Sequence, residues 1–237
     1  MYAYLRFESR RLIRDPRLLT FSVIGPVVTY LILSGWAGDG HTPATVMIGL
    51  AGYGAVAGVL MVGAAVSGER ASGWLRQLRV TPLPPRRVIA VKALLASVNA
   101  LPPVLAVGLA GRLQHGVELG AGRWAALLTL MWVGTVPFAL LGLALGYGLT
   151  PQIAQSVNFL VFLSLSVLGG LLVPVTYFPE TLRRLAEVMP TYRYAELGWR
   201  SAAGQPPEPR GLLVLAVWTV VFGAVAARAY RRSAARG

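Results

Sequence analysis

The sequence predicts an all-α integral membrane protein with six transmembrane helices. Hydrophobic residues occupy 55% of its 237 positions and charged residues only 13%, whereas a soluble globular domain carries about 25% charged residues. The mean hydropathy is +0.61. Apolar runs of about 20 residues, the length that crosses a hydrocarbon layer of roughly 30 Å, recur along the chain. Together these observations exclude an ordinary soluble fold.

Six apolar segments have the length of a membrane span. They comprise residues 18–37, 44–66, 88–109, 124–147, 156–177 and 211–229. The third is the weakest, because Lys92 must snorkel at its start and Pro102-Pro103 must kink it. Five spans is therefore the main alternative. An even number of spans places both termini on the same side of the membrane.

The basic residues are distributed unequally between the two sides of the membrane. With six spans, fifteen Lys and Arg residues fall in the N-terminal segment, the 67–92 connection and the C-terminal tail, against seven on the other side. Cytoplasmic segments are enriched in Lys and Arg, so both termini are predicted to be cytoplasmic. Because this charge lies beside the membrane without an aromatic stacking platform, we expect no nucleic-acid partner despite the net charge of +13.

The chain is predicted to form a single transmembrane domain over residues 1–237, with extra segments at both ends. In residues 1–17, four arginines share one arc of a helix that Asp15-Pro16 would end, which predicts an interfacial helix, with a solvated basic lead-in as the open alternative. In residues 178–210, two apolar segments separated by Pro190 are too short to span. They predict short external helices, interfacial or re-entrant.

Residues 67–87 form the longest cytoplasmic segment in this topology. Its first part can form about two and a half helical turns carrying the apolar residues Trp74, Leu75 and Leu78. The proline-rich sequence from Thr81 to Pro85 then stops the helix. A short amphipathic helix followed by a rigid turn is therefore predicted between spans 2 and 3.

Small and polar residues within the spans leave further alternatives open. The spacings Gly54-x-x-x-Gly58 and Gly142-x-x-x-Gly146 allow close helix packing within one subunit or between two. Three polar residues suit either a pore surface or hydrogen bonds between helices: Tyr53, Gln155 and Asn158.

Catalytic and metal-binding patterns are missing from the sequence. The only lysine, Lys92, follows Val91 and so cannot belong to a Gly-x-x-x-x-Gly-Lys-Ser/Thr phosphate loop. His41 and His115 have no other ligands at metal-binding spacing. No ionisable residue lies clearly near the centre of a span, which argues against an ion-coupled transporter. We therefore predict no catalytic residue, no metal site and no cofactor bound by this chain.

The order of these parts resembles the membrane subunits of type-2 ABC transporters, which are typically exporters with six spans. The resemblance covers the whole chain. It rests on Arg14-Asp15-Pro16-Arg17, on Glu69-Arg70-x-x-Gly73-x-Leu75-x-x-Leu78-x-Val80-Thr81-Pro82-Leu83, and on Phe178-Pro179-Glu180 with Pro190-x-x-x-Tyr194.

In the family that the chain resembles, the helix between spans 2 and 3 is a cytoplasmic coupling helix that docks into an ATP-binding subunit. The resemblance assigns this docking role to Glu69, Arg70, Gly73, Trp74, Leu75 and Leu78. Trp74 departs from the family pattern, which often has a smaller residue there. The competing interpretation is a loop helix that lies passively on the membrane.

The resemblance implies a non-catalytic permease subunit of an ATP-driven exporter in a bacterial cell membrane. ATP and Mg would then be bound by the partner subunit, and the permease would pair with a second copy of itself or a related permease. Apolar walls between the two permeases, in contact with membrane lipid, suit a hydrophobic or amphipathic cargo such as a drug, a natural product or a lipid-linked molecule. A non-transporting membrane scaffold or assembly protein is the alternative.

Overall fold

The computed structural model describes residues 20–36, 42–71 and 85–235, and this described part is helical without any strand. A five-residue π-helix, Thr20–Ile24, leads into the first α-helix. The α-helices are α1 (Gly25–Leu33), α2 (Pro43–Ala71), α3 (Pro85–Val98), α4 (Leu101–His115), α5 (Ala121–Val133), α6 (Val136–Gly148), α7 (Pro151–Leu168), α8 (Glu180–Val188), α9 (Pro190–Ala202) and α10 (Pro209–Ala235).

Five helical stretches in the described residues are long and apolar enough to cross a membrane. They are Pro43–Arg70, Ile89–His115, Ala121–Gly148, Pro151–Leu168 and Pro209–Ser233. A sixth apolar stretch, Thr20–Leu33, is shorter. The prediction of an all-α integral membrane protein is confirmed, with about five membrane-spanning helices. The predicted interfacial helix at residues 1–17 and residues 72–84 of the predicted coupling loop lie outside the described residues.

Proline interrupts two of the spans without ending them. The turn at Asn99-Ala100 separates α3 from α4 just before Pro102, and the side-chain amide of Asn99 donates a hydrogen bond to the carbonyl of Leu95 at 3.2 Å. Between α5 and α6, Thr135 Oγ1 likewise donates to the carbonyl of Trp132 at 2.6 Å. These side chains supply donors where the regular helical pattern is broken, which is how membrane helices accommodate such kinks.

Helix α7 ends earlier than the apolar run that contains it. Its span is predicted over residues 156–177, but the helix covers Pro151–Leu168 and is followed by a turn in which Gly170 has a φ of +75°. Such a backbone conformation strongly favours glycine. The hydroxyl of Thr191, from the following helix pair, donates to the carbonyl of Leu165 at 2.7 Å and so helps to complete the end of α7.

Helix α2 lies at the centre of the bundle and packs directly against α6. A Cβ atom added at Gly63 would overlap the carbonyl of Gly142, and one added at Gly146 would overlap the carbonyl of Gly63. On another face of α2, a Cβ at Gly54 would lie 2.8 Å from Pro103 of α4. Both small-residue spacings therefore serve close helix packing within this subunit.

Helices α2, α6 and α10 run parallel and end together. The rings of Tyr147, near the end of α6, and Tyr230, near the end of α10, pack edge to face with their centroids 5.1 Å apart. We call this the arginine-rich end of the bundle, because it carries Arg70, Arg228, Arg231 and Arg232. Helices α8 and α9 lie toward the opposite end.

Helix α9 enters the bundle between α2 and α5. Tyr194 is fully buried, and its ring packs edge to face on Phe138 with the centroids 5.5 Å apart. Gly198 allows the approach, since a Cβ there would lie 2.5 Å from a methyl group of Ile48. Helix α9 therefore packs into the bundle, and whether the short helices are interfacial or re-entrant stays a prediction.

A buried ion-pair cluster holds α8, α9 and the start of α10 together. Arg193, 3% exposed, donates through Nε to the carbonyl of Glu187 at 2.6 Å and through Nη1 to the carboxylates of Glu196 and Glu208, at 2.9 and 3.1 Å. Burial raises the pKa of Glu196, and a hydrogen bond with Glu208 adds to that rise while Arg193 opposes it. The cluster ties α9 to the start of α10.

Candidate functional site

Two of the six predicted docking residues fall within the described structure. Glu69 and Arg70 lie in the last turn of α2, where the helix leads into the predicted coupling loop. The other four lie outside the described residues: Gly73, Trp74, Leu75 and Leu78. What the structure gives is therefore the attachment of the loop to the bundle.

Arg70 joins the end of α2 to the end of α6. Its Nη1 donates to the carbonyl of Tyr147 at 2.6 Å, and its Nη2 donates to the carbonyl of Leu149 at 2.7 Å. Carbonyls in the last turn of a helix have no partner within the helix and lie at the negative end of its dipole. A guanidinium group with several fixed donors satisfies both needs. We call Glu69 and Arg70, at the end of α2, the loop root. The Arg70 side chain thus fastens the loop root to the connection between α6 and α7.

Glu69 joins the same end of α2 to α3. Its Oε2 lies 2.6 Å from Lys92 Nζ, and the side chains of Lys92 and Glu69 are only 6% and 12% exposed. The expectation that Lys92 snorkels to the membrane surface is wrong, because its ammonium group has a carboxylate partner inside the bundle. The two helices that flank the loop are therefore held together by a buried ion pair.

These contacts give Glu69 and Arg70 a role within the chain that sequence reasoning missed. The resemblance assigned them to the docking surface, whereas their side chains point to α3 and to the end of α6. A docking role for the loop as a whole stays a prediction. A force on the end of α2 would act on α3 and α6 as well, since the side chains of Glu69 and Arg70 connect α2 to both.

A second feature is a groove halfway along the bundle. Its volume is about 900 Å³, and it lies between the π-helix, the middle of α2 and one face of α7. Apolar side chains form most of its wall: Phe21, Ala57, Leu60, Met61, Phe159, Leu160 and Phe162. A volume of several hundred Å³ with mainly apolar walls is typical of a site for a small organic molecule.

Polar groups lie at one edge of this groove. Asn158, 5% exposed, donates through Nδ2 to the carbonyl of Ala154 at 2.9 Å, within its own helix. Its Oδ1 has no hydrogen-bond partner among the described residues. Gln155 also lines the groove, whereas the ring of Tyr53 packs against Phe162 with the centroids 4.7 Å apart. Of the three polar residues singled out in the spans, two therefore face the groove.

Neither the loop root nor the groove offers the side chains of a metal site. In residues 20–36, 42–71 and 85–235, no three His, Cys, Asp or Glu side chains are grouped to hold a metal ion. His115, which falls within this part, forms a hydrogen bond of 3.2 Å with the hydroxyl of Tyr30. The chemistry that the described residues support is non-covalent binding in the groove and mechanical connection at the loop.

Comparisons with known proteins cover nearly the whole chain. Residues 1–198 match the family described as "ABC-2 type transporter". Over 224 residues the chain is 21% identical to "Putative transport permease YvfS" of Bacillus subtilis (strain 168), an alignment that covers 91% of this chain and 90% of that protein. The multi-span helical fold agrees with such a protein. The chain therefore belongs to the ABC-2 type transporter family and is a multi-pass membrane permease subunit of a transporter.

Proposed function

We propose that this permease exports a hydrophobic or amphipathic compound across a bacterial cell membrane, using ATP hydrolysed by a separate subunit. The observation that carries the proposal is the double attachment of the loop root, through Glu69 to Lys92 and through Arg70 to the end of α6. A connection of this kind suits a loop that transmits the movement of a partner protein to the membrane-spanning helices. ATP and Mg would belong to that partner.

The proposed topology has six spans with both termini in the cytoplasm. The span that is added to the five long stretches is the first one in the chain, the 18–37 segment. Its described residues run antiparallel to α2. A Cβ at Gly58, in the second half of α2, would lie 3.3 Å from Ser22, whereas one at Gly111 of α4 would meet both Met47, near the start of α2, and the hydroxyl of Tyr30. This direction fits an alternating path through the membrane. The arginine-rich end is then cytoplasmic, in agreement with the enrichment of Lys and Arg in cytoplasmic segments.

Docking of the partner through the coupling loop is tested by co-purification. In a membrane extract containing the ATP-binding subunit, Leu75→Asp with Leu78→Asp should reduce the recovered P-loop ATPase at least about tenfold, because two carboxylates would have to be desolvated at the interface. Arg70→Ala should keep the ATPase bound, since that side chain is engaged within the permease.

The matched control for docking is Leu182→Asp with Leu185→Asp. These leucines are 41% and 42% exposed on α8, toward the opposite end of the bundle. The same change of charge there should leave ATPase recovery unaltered. The proposal would be contradicted if the wild-type permease retained no P-loop ATPase. It would also be contradicted if the Leu75/Leu78 and Leu182/Leu185 double variants lost the same amount of bound ATPase.

The cargo path is proposed to include the groove beside α7. Only 22% of the most apolar stretch of α7 is buried within this chain. A second permease, either the same chain or a related one, would cover this face and close the groove into a passage. The apolar wall suits a compound with a large hydrophobic part, and Gln155 with the free Oδ1 of Asn158 could orient a polar group on it.

Filling the groove should reduce transport without preventing ATPase docking. Met61→Trp adds a large ring to its wall, and we expect at least about a tenfold loss of ATP-dependent flux of a fluorescent amphiphile in inverted vesicles, with the ATPase still bound. Val220→Trp is the control, because Val220 is 72% exposed on α10 and does not line the groove. Unchanged flux in Met61→Trp would exclude the groove from the path.

A further inference from the structure

A separate cavity opens at the arginine-rich end, away from the groove. Its volume is about 580 Å³, and it lies between the end of α6 and the last turns of α10. Three arginines line it: Arg70 from α2 with Arg228 and Arg232 from α10. Tyr147, Gly148 and Val225 also line it.

Among the described residues, the cavity concentrates positive charge without a free acidic partner. Arg228 and Arg232 are four residues apart on one helix, a spacing at which like charges repel. Neither of them forms an ion pair with a described residue. The one carboxylate described at this end, Glu69, is paired with Lys92. An anion that occupied the cavity would relieve this repulsion and accept charge-assisted hydrogen bonds.

One side of the cavity continues onto an exposed apolar face of α10. Val225, which lines the cavity, is 49% exposed, and Val217 and Val221 extend the same apolar stripe along the helix. Only 11% of the most apolar stretch of α10 is buried within this chain. The cavity is therefore charged at its mouth and open along an apolar helix face. A ligand with an anionic head and an apolar chain matches both features.

We propose that this cavity binds the phosphate-bearing headgroup of an anionic phospholipid, with its acyl chain lying along Val225, Val221 and Val217. Basic pockets between membrane helices are suited to such headgroups, because the arginines meet the phosphate at the depth of the lipid interface. The bound lipid connects α2, α6 and α10 where these helices end. Binding of the lipid requires neither ATP nor the partner subunit. The lipid site can therefore be tested independently of the proposed transport.

Native mass spectrometry of the purified full chain tests the site. The protein is delipidated and then exposed to phosphatidylglycerol or to phosphatidylcholine. We expect wild-type protein to retain phosphatidylglycerol in preference to phosphatidylcholine, and Arg228→Gln with Arg232→Gln to lower its affinity for phosphatidylglycerol roughly thirtyfold, the loss expected for two interfacial arginines.

The matched control is Arg210→Gln with Arg231→Gln, which removes the same charge from the same helix at positions that do not line the cavity. It should bind phosphatidylglycerol as the wild type does. Equal affinity of the two double variants would overturn the proposal. The proposal would also be overturned if millimolar inorganic phosphate released the lipid and phosphate alone bound as tightly as the lipid does. The site would then recognise a soluble anion.

Discussion

Gly63→Ala is expected to lower the free energy of unfolding by about 2 kcal/mol or more, the cost of forcing an extra atom into a close-packed interface. The new methyl group would overlap the carbonyl of Gly142, and main-chain atoms cannot move aside as a flexible side chain can. Either α2 and α6 separate along their contact, or the backbone of one of them distorts. Reversible unfolding in mixed micelles at increasing denaturing detergent measures the difference.

Gly68→Ala is the matched control for this experiment. Gly68 lies five residues further along α2, and a Cβ there would meet no atom within 4 Å. Alanine stabilises a helix by roughly 0.5–1 kcal/mol relative to glycine, so this variant should be as stable as the wild type or slightly more so. If both variants unfold at the same detergent concentration, the close contact between α2 and α6 is not the determinant of stability that the structure indicates.

Lys92→Met is expected to destabilise the protein by about 3 kcal/mol, because it removes a buried cation that lies in direct contact with a buried carboxylate. The Glu69 side chain is only 12% exposed and lies 2.6 Å from Lys92 Nζ. Combining Lys92→Met with Glu69→Gln should recover much of the lost stability, since the uncompensated charge is removed. The four members of the double-mutant cycle are compared by the same unfolding measurement.

The control for this cycle is Arg112→Met, an exposed cation on α4. It should change the unfolding free energy by less than about 0.5 kcal/mol. If Lys92→Met is equally mild, the buried Glu69 carboxylate does not depend on the ammonium group of Lys92. If the double variant is stable but loses ATP-driven flux while the ATPase remains bound, the ion pair serves to transmit motion as well as to hold α2 and α3 together.

Hydropathy and charge were enough to predict the helical membrane fold, but not where every span ends. The run over residues 156–177 stays apolar through Gly169-Gly170, so hydropathy cannot detect that the helix stops at Leu168. The stop is caused by backbone conformation, with Gly170 at a φ of +75°. The first segment, by contrast, was expected to match the others, and its apolar helix Thr20–Leu33 is shorter than they are.

The contacts at the loop root could not be predicted, because the partners are distant in sequence or belong to the main chain. Glu69 and Lys92 are separated by 23 positions, and nothing in their local sequence pairs them. The acceptors of Arg70 are carbonyls of Tyr147 and Leu149, which any residue type would supply. The groove was partly foreseeable, since Gln155 and Asn158 had been singled out from the sequence as polar residues that suit a pore surface or hydrogen bonds between helices, and both line it.

The length of α2 makes small rotations of this helix sufficient for large displacements. With 29 residues it is about 43 Å long at 1.5 Å per residue, and its close contact with α6 makes the two helices tilt as a single rod. If one end of such a rod is held, a tilt of about 5° displaces the other by roughly 4 Å, close to the width of an aliphatic chain. The same tilt moves the middle of the rod by only about 2 Å, whereas the movement at its free end is large enough to open or close a passage.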